Sequence, residues 1–363
     1  MTAPTVAPPV LRRLARQAGR LAELVATPLV PADYVDLLDP LRSGAELRGR
    51  VVAVHPETRD AVTLVIRPGR GWDRHVPGQY VRIGVDVDGV RQWRAYSLTS
   101  PVDRADGCIS VTVKAIPDGK VSNHLVRRAQ PGLVLQLDRA AGDFVLPDAR
   151  PAKVLFVTAG SGITPVMGML RGAVDELDDV VLVHSAPTPA DVIFAGELRA
   201  LEAAGRVRLV EKHTDVDGVL TPDELAALVP DLAERQTWAC GPTGMLDALE
   251  ELFATRGIAD RLHTERFRPT VLVTGEGGTV TFSEQAVTVE ADGGVPLLDA
   301  GEAAGVLMPS GCRMGICFGC VVPLRSGVVR DLRDGAITTA VEGDGVRIQT
   351  CINAAAGACD IEL

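Results

Sequence analysis

The pattern of apolar and polar positions changes rhythm several times along the 363 residues. From about Glu46 to Leu146 the runs are short and β-rich: Arg50-His55, Ala61-Ile66, Gln79-Val85, Arg94-Leu98, Ile109-Ile116 and Val134-Asp138. Turn signals such as Pro77-Gly78 and Pro117-Asp118-Gly119 punctuate them, and the set predicts a small antiparallel barrel. At about Pro151 continuous apolar strands begin to alternate with helical stretches. Strands Val154-Thr158, Val180-His184, Val207-Glu211 and Thr237-Cys240 are followed by an amphipathic helix from about Val166 and by helices over Asp191-Ala203, over Pro222-Leu228 and over Gly244-Thr255. That alternation predicts a parallel, doubly wound α/β sheet. A short linker near Arg268-Val271 leads to a last region that runs to Leu363. Residues 1 to about 45 stand apart. In them Leu11, Leu14, Ala18, Leu21, Ala22 and Val25 recur at helical spacing, with Arg12, Arg13, Arg16 and Arg20 between, which reads as a basic amphipathic helix.

Composition narrows the classes. The chain is 46% hydrophobic and 23% charged, as soluble globular proteins are, and is long enough for two or three domains. A net charge of -10 argues against a nucleic-acid partner. From Val271 onward there are 12 Asp+Glu against 5 Lys+Arg, which suits either a carrier face that docks on a basic partner or ordinary surface solubility. No apolar run approaches the ~18 residues of a membrane span. Arginines interrupt the N-terminal stretch, so it is not a signal peptide. A cytoplasmic location is expected, with residues 10–25 touching the inner face of an acidic membrane or a membrane-bound partner, or packing on their own protein.

The chemistry concentrates in a few stretches. Cys312, Cys317 and Cys320 form C-x4-C-x2-C, and Cys351 follows after thirty residues. This is the spacing of plant-type [2Fe-2S] sites. Gly311, Gly315 and Gly319 suit a loop that needs positive φ and close approach. Structural zinc favours paired C-x2-C knuckles or His, and this region has no His. Seven cysteines in a long chain without a secretory signal do not make a disulfide scaffold.

Arg94-Ala95-Tyr96-Ser97 places a cation, an aromatic face and a hydroxyl on one strand, with Ser97 opposite the other two. It suits a pyrophosphate and a planar ring, although an exposed Arg and Tyr on a strand are often a plain surface pair. The turn Asp118-Gly119-Lys120-Val121-Ser122-Asn123 opens a helix over Asn123-Arg128 and offers backbone N–H groups to a phosphate. Two more turns end strands and open helices: Ala159-Gly160-Ser161-Gly162-Ile163-Thr164-Pro165 and Ala239-Cys240-Gly241-Pro242. Neither is a G-x-G-x-x-G, yet both lie at carboxyl ends of parallel strands, where ligands bind. Taken alone, Cys240 reads as an inert buried thiol.

In this order, over about residues 46 to 363, the stretches resemble the ferredoxin-NADP reductase superfamily with a C-terminal plant-type ferredoxin. The resemblance implies a multi-domain fold: an antiparallel β-barrel flavin domain over 46–150, an α/β parallel-sheet NAD(P) domain over 151–267 and an α+β β-grasp ferredoxin domain over 271–363. It implies that Arg94 contacts the flavin phosphates, Tyr96 stacks on the ring and Ser97 sits near flavin N5, with Gly119, Val121 and Ser122 at the pyrophosphate. Gly160, Gly162, Thr164, Cys240, Gly241 and Pro242 would bind the pyridine nucleotide, with Cys240 beside the nicotinamide. His263-Thr264-Glu265-Arg266-Phe267 resembles the His-x-Glu-x-Phe ending of bacterial reductases, which implies a proton-handling role for Glu265. Ser97, Cys240 and Glu265 are then the catalytic candidates, and Cys312, Cys317, Cys320 and Cys351 the cluster ligands.

The implied cofactors are FAD, with the FMN of the phthalate dioxygenase reductase branch as the alternative, a [2Fe-2S] cluster and NADPH, with NADH as the alternative. Pro187 stands where NADPH-using relatives often carry arginine, and Lys212 and His213, at the end of the next strand, could compensate as cations for the 2′-phosphate. The implied activity is an NAD(P)H-dependent oxidoreductase that sends electrons through flavin and cluster to a partner. The N-terminal extension and the stretches Val322-Gly327 and Ile348-Cys351 look most like actinobacterial reductases that serve membrane acyl-CoA desaturases, which are di-iron proteins. The alternatives are the reductase of a ring-hydroxylating or other multicomponent oxygenase or of a cytochrome P450 and, in another class, a flavin/iron-sulfur redox sensor. Cys108 and Cys359 lie outside the motifs and receive no role.

Overall fold

Each change of rhythm becomes one sheet in the computed structural model, which describes residues 39–42, 46–87, 89–117, 119–267, 273–274, 276–311, 313–315 and 318–363. The helix read over residues 10–25, linker residues 268–271, Asp118, Cys312 and Cys317 lie outside the described residues.

The first sheet is antiparallel: β1 (Arg48–Thr58), β2 (Ala61–Pro68), β3 (Tyr80–Val87), β4 (Val90–Ser97), β5 (Ile109–Lys114) and β6 (Val134–Leu137) stand in the order β4-β3-β6-β1-β2-β5. Just past β4, Leu98 bridges Val111 of β5, and the Thr99 N–H donates to Ser110 O at 2.8 Å. That contact joins the two edges and makes the sheet a barrel, which leaves no open edge. Leu64, Ile66, Ile83, Val111 and Leu135 fill its interior. Helix α1 (Lys120–Arg128) closes one end with Val121 and Leu125. It starts three residues earlier than its sequence pattern suggests, because Gly119 takes the N-cap and accepts the Asn123 N–H at 3.0 Å.

The second sheet is fully parallel: β7 (Lys153–Ala159), β8 (Asp179–Ala186), β9 (Arg208–His213), β10 (Gln236–Cys240) and β11 (Leu262–Glu265), ordered β11-β10-β7-β8-β9. Alternate residues of β7 serve opposite faces. Val154 and Phe156 join a core with α2 (Ile163–Ala173) and α3 (Ala195–Ala203). Leu155 and Val157 join another with α5 (Pro222–Leu228) and α6 (Thr243–Thr255), beyond the short α4 (Thr214–Asp217). Burial on both faces explains why the strands read as continuous apolar runs. Helix α3 starts at Ala195 rather than Asp191: Phe194 has φ 62°, which no helix continues through, and Pro189–Asp191 form a 3₁₀ turn instead.

Helix α2 also departs from its sequence pattern. It starts at Ile163 and is buried on nearly every side rather than amphipathic, because the barrel covers the face that a surface helix turns to water. The seam is close. A Cβ on Gly168 would lie 2.3 Å from Leu98 O, and one on Gly172 would lie 2.5 Å from Pro77 Cγ. Arg171 of α2 reaches across to Thr99 O at 2.7 Å while pairing with Glu197.

The third sheet, β13-β12-β17-β14-β15, is built from β12 (Gly278–Phe282), β13 (Val287–Ala291), β14 (Val321–Asp331), β15 (Ile337–Ala340) and β17 (Asn353–Ile361), with β16 (Arg347–Gln349) paired to β14. One helix, α7 (Leu297–Ala303), packs Leu297, Leu298 and Gly301 into its concave face, the β-grasp arrangement. Among the described residues no helix is long and apolar enough to cross a membrane.

Candidate functional site

Strand β4 presents its chemistry as alternation requires. Ser97 points into the protein, 4% exposed, and its Oγ has no hydrogen-bond partner among the described residues. Arg94 is half-buried and donates to Trp93 O at 2.8 Å and Gln92 Oε1 at 3.2 Å, neither of which carries charge. Burial pulls its pKa down to about 10, helped by Arg313 and opposed by Glu302, Tyr96 and Asp299. Arg94 is still a cation at neutral pH, incompletely neutralised, which suits an anionic ligand. Burial pushes the Tyr96 phenol up, against the opposing charge of Arg94, so the ring is neutral.

At the start of α1 the side chains shape the turn rather than project from it. Ser122 Oγ donates to Gly119 O at 3.2 Å and accepts the Ile116 N–H at 3.3 Å, and Asn123 Nδ2 donates to Ile116 O at 2.8 Å. A Cβ on Gly119 would fall 2.5 Å from both Ile116 Cγ1 and Ser122 Oγ, so the turn requires glycine. Val121 is a core residue, 1% exposed, and only its backbone is available to a ligand. Among the described residues no side chain caps the helix, so its first-turn N–H groups are available to a phosphate.

The carboxyl edge of the parallel sheet holds the second group. Strand order reverses between β7 and β10, with Thr158 opposite Cys240, and ligands of such sheets bind at that reversal. Gly160 has φ 53°. A Cβ on Gly162 would lie 2.0 Å from Cys240 O, so the two turns touch through backbone alone. Thr164 spends its hydroxyl on Ser161 O at 2.9 Å, tightening the first turn. Pro242 is the N-cap of α6, again with no side-chain cap.

Cys240 is fully buried, and burial, then the nearby Glu265, pushes its thiol well above the usual range. Glu265 stands opposite Cys240 in the β10–β11 register. Burial pushes its carboxyl up to about 8, and its Oε2 has no partner among the described residues. At pH 7 it is mostly protonated and able to donate. The barrel and this edge meet at the α2 seam, because Leu98, next after Ser97, is the residue whose carbonyl meets Gly168.

The expected 2′-phosphate cations need correction. Lys212 is 5% exposed, paired with Glu224 and donating to Asp217 O at 3.1 Å, and His213 faces Glu211 at 3.4 Å. Glu224 is held there by the capping box it forms with Thr221 at the start of α5. Lys212 is therefore not free for a ligand, and His213 Nε2 is buried beside Glu211 with no hydrogen-bond partner among the described residues. Sequence reading passed over Ser185 and His184, which end β8 with a buried Oγ and Nε2 lacking partners among the described residues. The only sequence signal was their place at the carboxyl end of an apolar strand.

The cluster stretch is organised by β16. Its pairing with β14 sets Val321 opposite Gln349 and brings the Thr350 N–H and Oγ1 to Cys320 O at 3.2 and 3.1 Å. Cys320 and Cys351 are consequently both buried, with their sulfurs 3.2 Å apart. That exceeds a disulfide bond of about 2.05 Å and suits two donors converging on one centre. Of the three loop glycines, Gly315 has positive φ, 76°, but Arg313 at 60° and Phe318 at 55° share it. Arg313 pairs with Asp299 at 2.7 Å and with Glu302, both on α7. These are the groups that act on Arg94, so the cluster loop and strand β4 share one ionic neighbourhood.

Comparison with known proteins identifies the three regions. Residues 73–145 match the oxidoreductase FAD-binding domain, 156–251 the oxidoreductase NAD-binding domain and 280–355 the 2Fe-2S iron-sulfur cluster binding domain. The chain is 48% identical over 351 residues to an NADPH oxidoreductase of Mycobacterium tuberculosis, covering 95% of this chain and 91% of that one. The chain is a ferredoxin-NADP reductase superfamily flavoprotein with a [2Fe-2S] domain. The reductase is also 31% identical to a glycine betaine monooxygenase reductase subunit of Chromohalobacter salexigens, over 76% of this chain and 84% of that one. Its fold matches phthalate dioxygenase reductase at a TM-score of 0.61, with 22% identity, covering 87% and 97% of the two chains. It is an electron-transfer oxidoreductase that uses FAD, NAD(P)H and a [2Fe-2S] cluster.

Proposed function

We propose that the reductase takes a hydride from NADPH at the β7–β10 edge and delivers single electrons from the cluster to an oxygen-activating partner. A bound flavin accepts two electrons together and releases them one at a time. The rest falls to residues of this chain. Arg94 and the open N–H groups of α1 hold the flavin phosphates, and Tyr96 packs the ring. Ser97 offers its unpartnered Oγ to the ring edge. Gly160, Gly162, Gly241 and Pro242 admit the nucleotide to the backbone, and Thr164 braces their turn. Cys240 packs the nicotinamide, excluding water. Glu265 Oε2 holds a proton at pH 7 for the reduced ring. Cys312 and Cys317 complete the cluster with Cys320 and Cys351. In this reading the flavin domain spans 46–150, the nucleotide domain 151–267 and the ferredoxin domain 271–363.

The observation that carries the proposal is that Gln92 of the flavin strand and Glu302 of α7 line one cleft, while Glu302 and Asp299 pair with Arg313 of the cluster loop, which sets that loop beside the flavin strand. Anaerobic stopped-flow mixing with NADPH and with NADH, following flavin and cluster absorbance together, tests it. Flavin bleaching followed by cluster reduction is expected, and flavin reduction without cluster reduction would overturn it. NADPH as donor is supported by the named activity of the mycobacterial relative. With Lys212 engaged by Glu224, discrimination against NADH is expected to be within about tenfold.

For the acceptor, the monooxygenase relative supports an oxygenase component. The basic pattern of residues 10–25 favours a membrane di-iron desaturase reached from the cytoplasmic face. Reconstitution with desaturase-bearing membranes and with a soluble oxygenase decides between them: the true partner turns over with NADPH, and the other leaves the cluster reduced.

A further inference from the structure

We propose that the adenosine half of FAD is held between the flavin barrel and the ferredoxin domain, so that the iron-sulfur domain completes the flavin site. The inference rests on the FAD reading above and concerns where the dinucleotide's second half goes. A cleft of about 200 Å³ separates the tip of the β3–β4 hairpin from the segment after α7. Val90, Arg91 and Lys120 line its barrel side, and Glu302, Leu307 and Met308 its ferredoxin side.

Continuity with the phosphate site is the first argument. Lys120 is the first residue of α1, directly after the Gly119 turn whose N–H groups face a phosphate. Gln92, which also borders the cleft, accepts from Arg94 Nη2. A mononucleotide ends at that turn, whereas a dinucleotide continues by one more phosphate into the adjoining space. Lys120 is exposed and has no ion pair among the described residues, so it can meet that second phosphate.

The second argument is apolar surface in an unusual place. Val90 is 39% and Leu307 63% exposed, and they face the same cleft from different domains. A planar base between them would take both from water, with the stabilisation that apolar burial gives. Glu302 and Gln92 supply acceptors at the edges for an exocyclic amine, and Glu302 keeps free lone pairs while bound to Arg313. Binding FAD and seating the ferredoxin domain are then linked, each favouring the other to the same degree.

The test uses the full chain, stripped of flavin and titrated with FAD and with FMN, following flavin fluorescence. Native protein should bind FAD at least about tenfold more tightly than FMN. Leu307→Asp and Val90→Asp, one in each domain, should each weaken FAD about tenfold and leave FMN unchanged. The cluster spectrum checks that each variant keeps its ferredoxin domain intact. Equal weakening of both flavins, or of neither, overturns the subsite while leaving FAD as the cofactor. Native protein that purifies with FMN and binds FAD no better overturns the FAD reading itself.

Discussion

The nucleotide edge of the parallel sheet and the cluster loop of the ferredoxin domain both depend on unusual backbone, but they obtain it differently. At the edge, Gly160 takes the left-handed conformation and Gly162 the closest approach, 2.0 Å between a would-be Cβ and Cys240 O. Glycine does both without strain, so that cradle is shaped by the sheet before any ligand arrives. In the cluster loop Gly315 is joined at positive φ by Arg313 and Phe318. Side chains there cost roughly 1–2 kcal/mol each. Such conformations persist where something over-determines them: the ion pairs of Arg313 with Asp299 and Glu302 are one such constraint, and ligation of a bound cluster would add another. One site is therefore preformed by packing, and the other is held by ion pairs and by what it binds.

The sharpest break in that contrast is Cys351→Ser. Removing one ligand should abolish cluster absorbance and cut reduction of cytochrome c about 100-fold or more, with NADPH-driven ferricyanide reduction through the flavin unchanged. A variant that kept its cluster would show that the loop does not need its fourth ligand. Gly162→Ala is the matching break at the preformed edge. Overpacking against Cys240 O should cost about 1–3 kcal/mol, read as weaker NADPH binding with flavin content intact.

The next test is electrostatic. Glu265 has a folded-state pKa of about 8 against an ordinary 4.5, so between these values the folded protein binds more protons than the unfolded one. Its contribution is fully present below about pH 4.5 and is lost as pH rises towards 8. The thermal midpoint should fall over that window, and Glu265→Gln should flatten the fall. An unchanged slope in the variant would assign it to other groups. The smallest effect is expected from Phe318→Gly, which removes left-handed strain from an exposed aromatic. The apo protein should gain about 1 kcal/mol in chemical denaturation, and a loss instead would mean the ring packs against something that stabilises the loop.

Much of this was legible in the sequence where local pattern and tertiary role coincide. The barrel runs and the apolar strands of the parallel sheet announced themselves because alternation and continuous burial leave period-specific traces. Cys320 and Cys351 were readable from spacing, and β16 explains how thirty intervening residues bring them together. What could not be read depended on partners distant in sequence. The amphipathic reading of α2 failed because the barrel occupies its outer face. Lys212 looked free because nothing in its own strand reveals Glu224. The late start of α3, at Ala195, lies in one dihedral, that of Phe194. Ser185 carried no motif, and its unpartnered hydroxyl is visible only once the sheet has buried it.

Gly168 and Gly172 remove two side chains from the face of α2 that meets the barrel, and Arg171 fastens the same face to Thr99 O. A joint in which helix backbone meets the Leu98 carbonyl and the rigid Pro77 ring has little compliant layer to slide on. Barrel and nucleotide sheet should then travel as one rigid body, with no hinge to open between hydride donor and ring. Any excursion that hands electrons outward belongs to the ferredoxin domain, and the pace of turnover with a large acceptor would be set by how often that domain departs and returns.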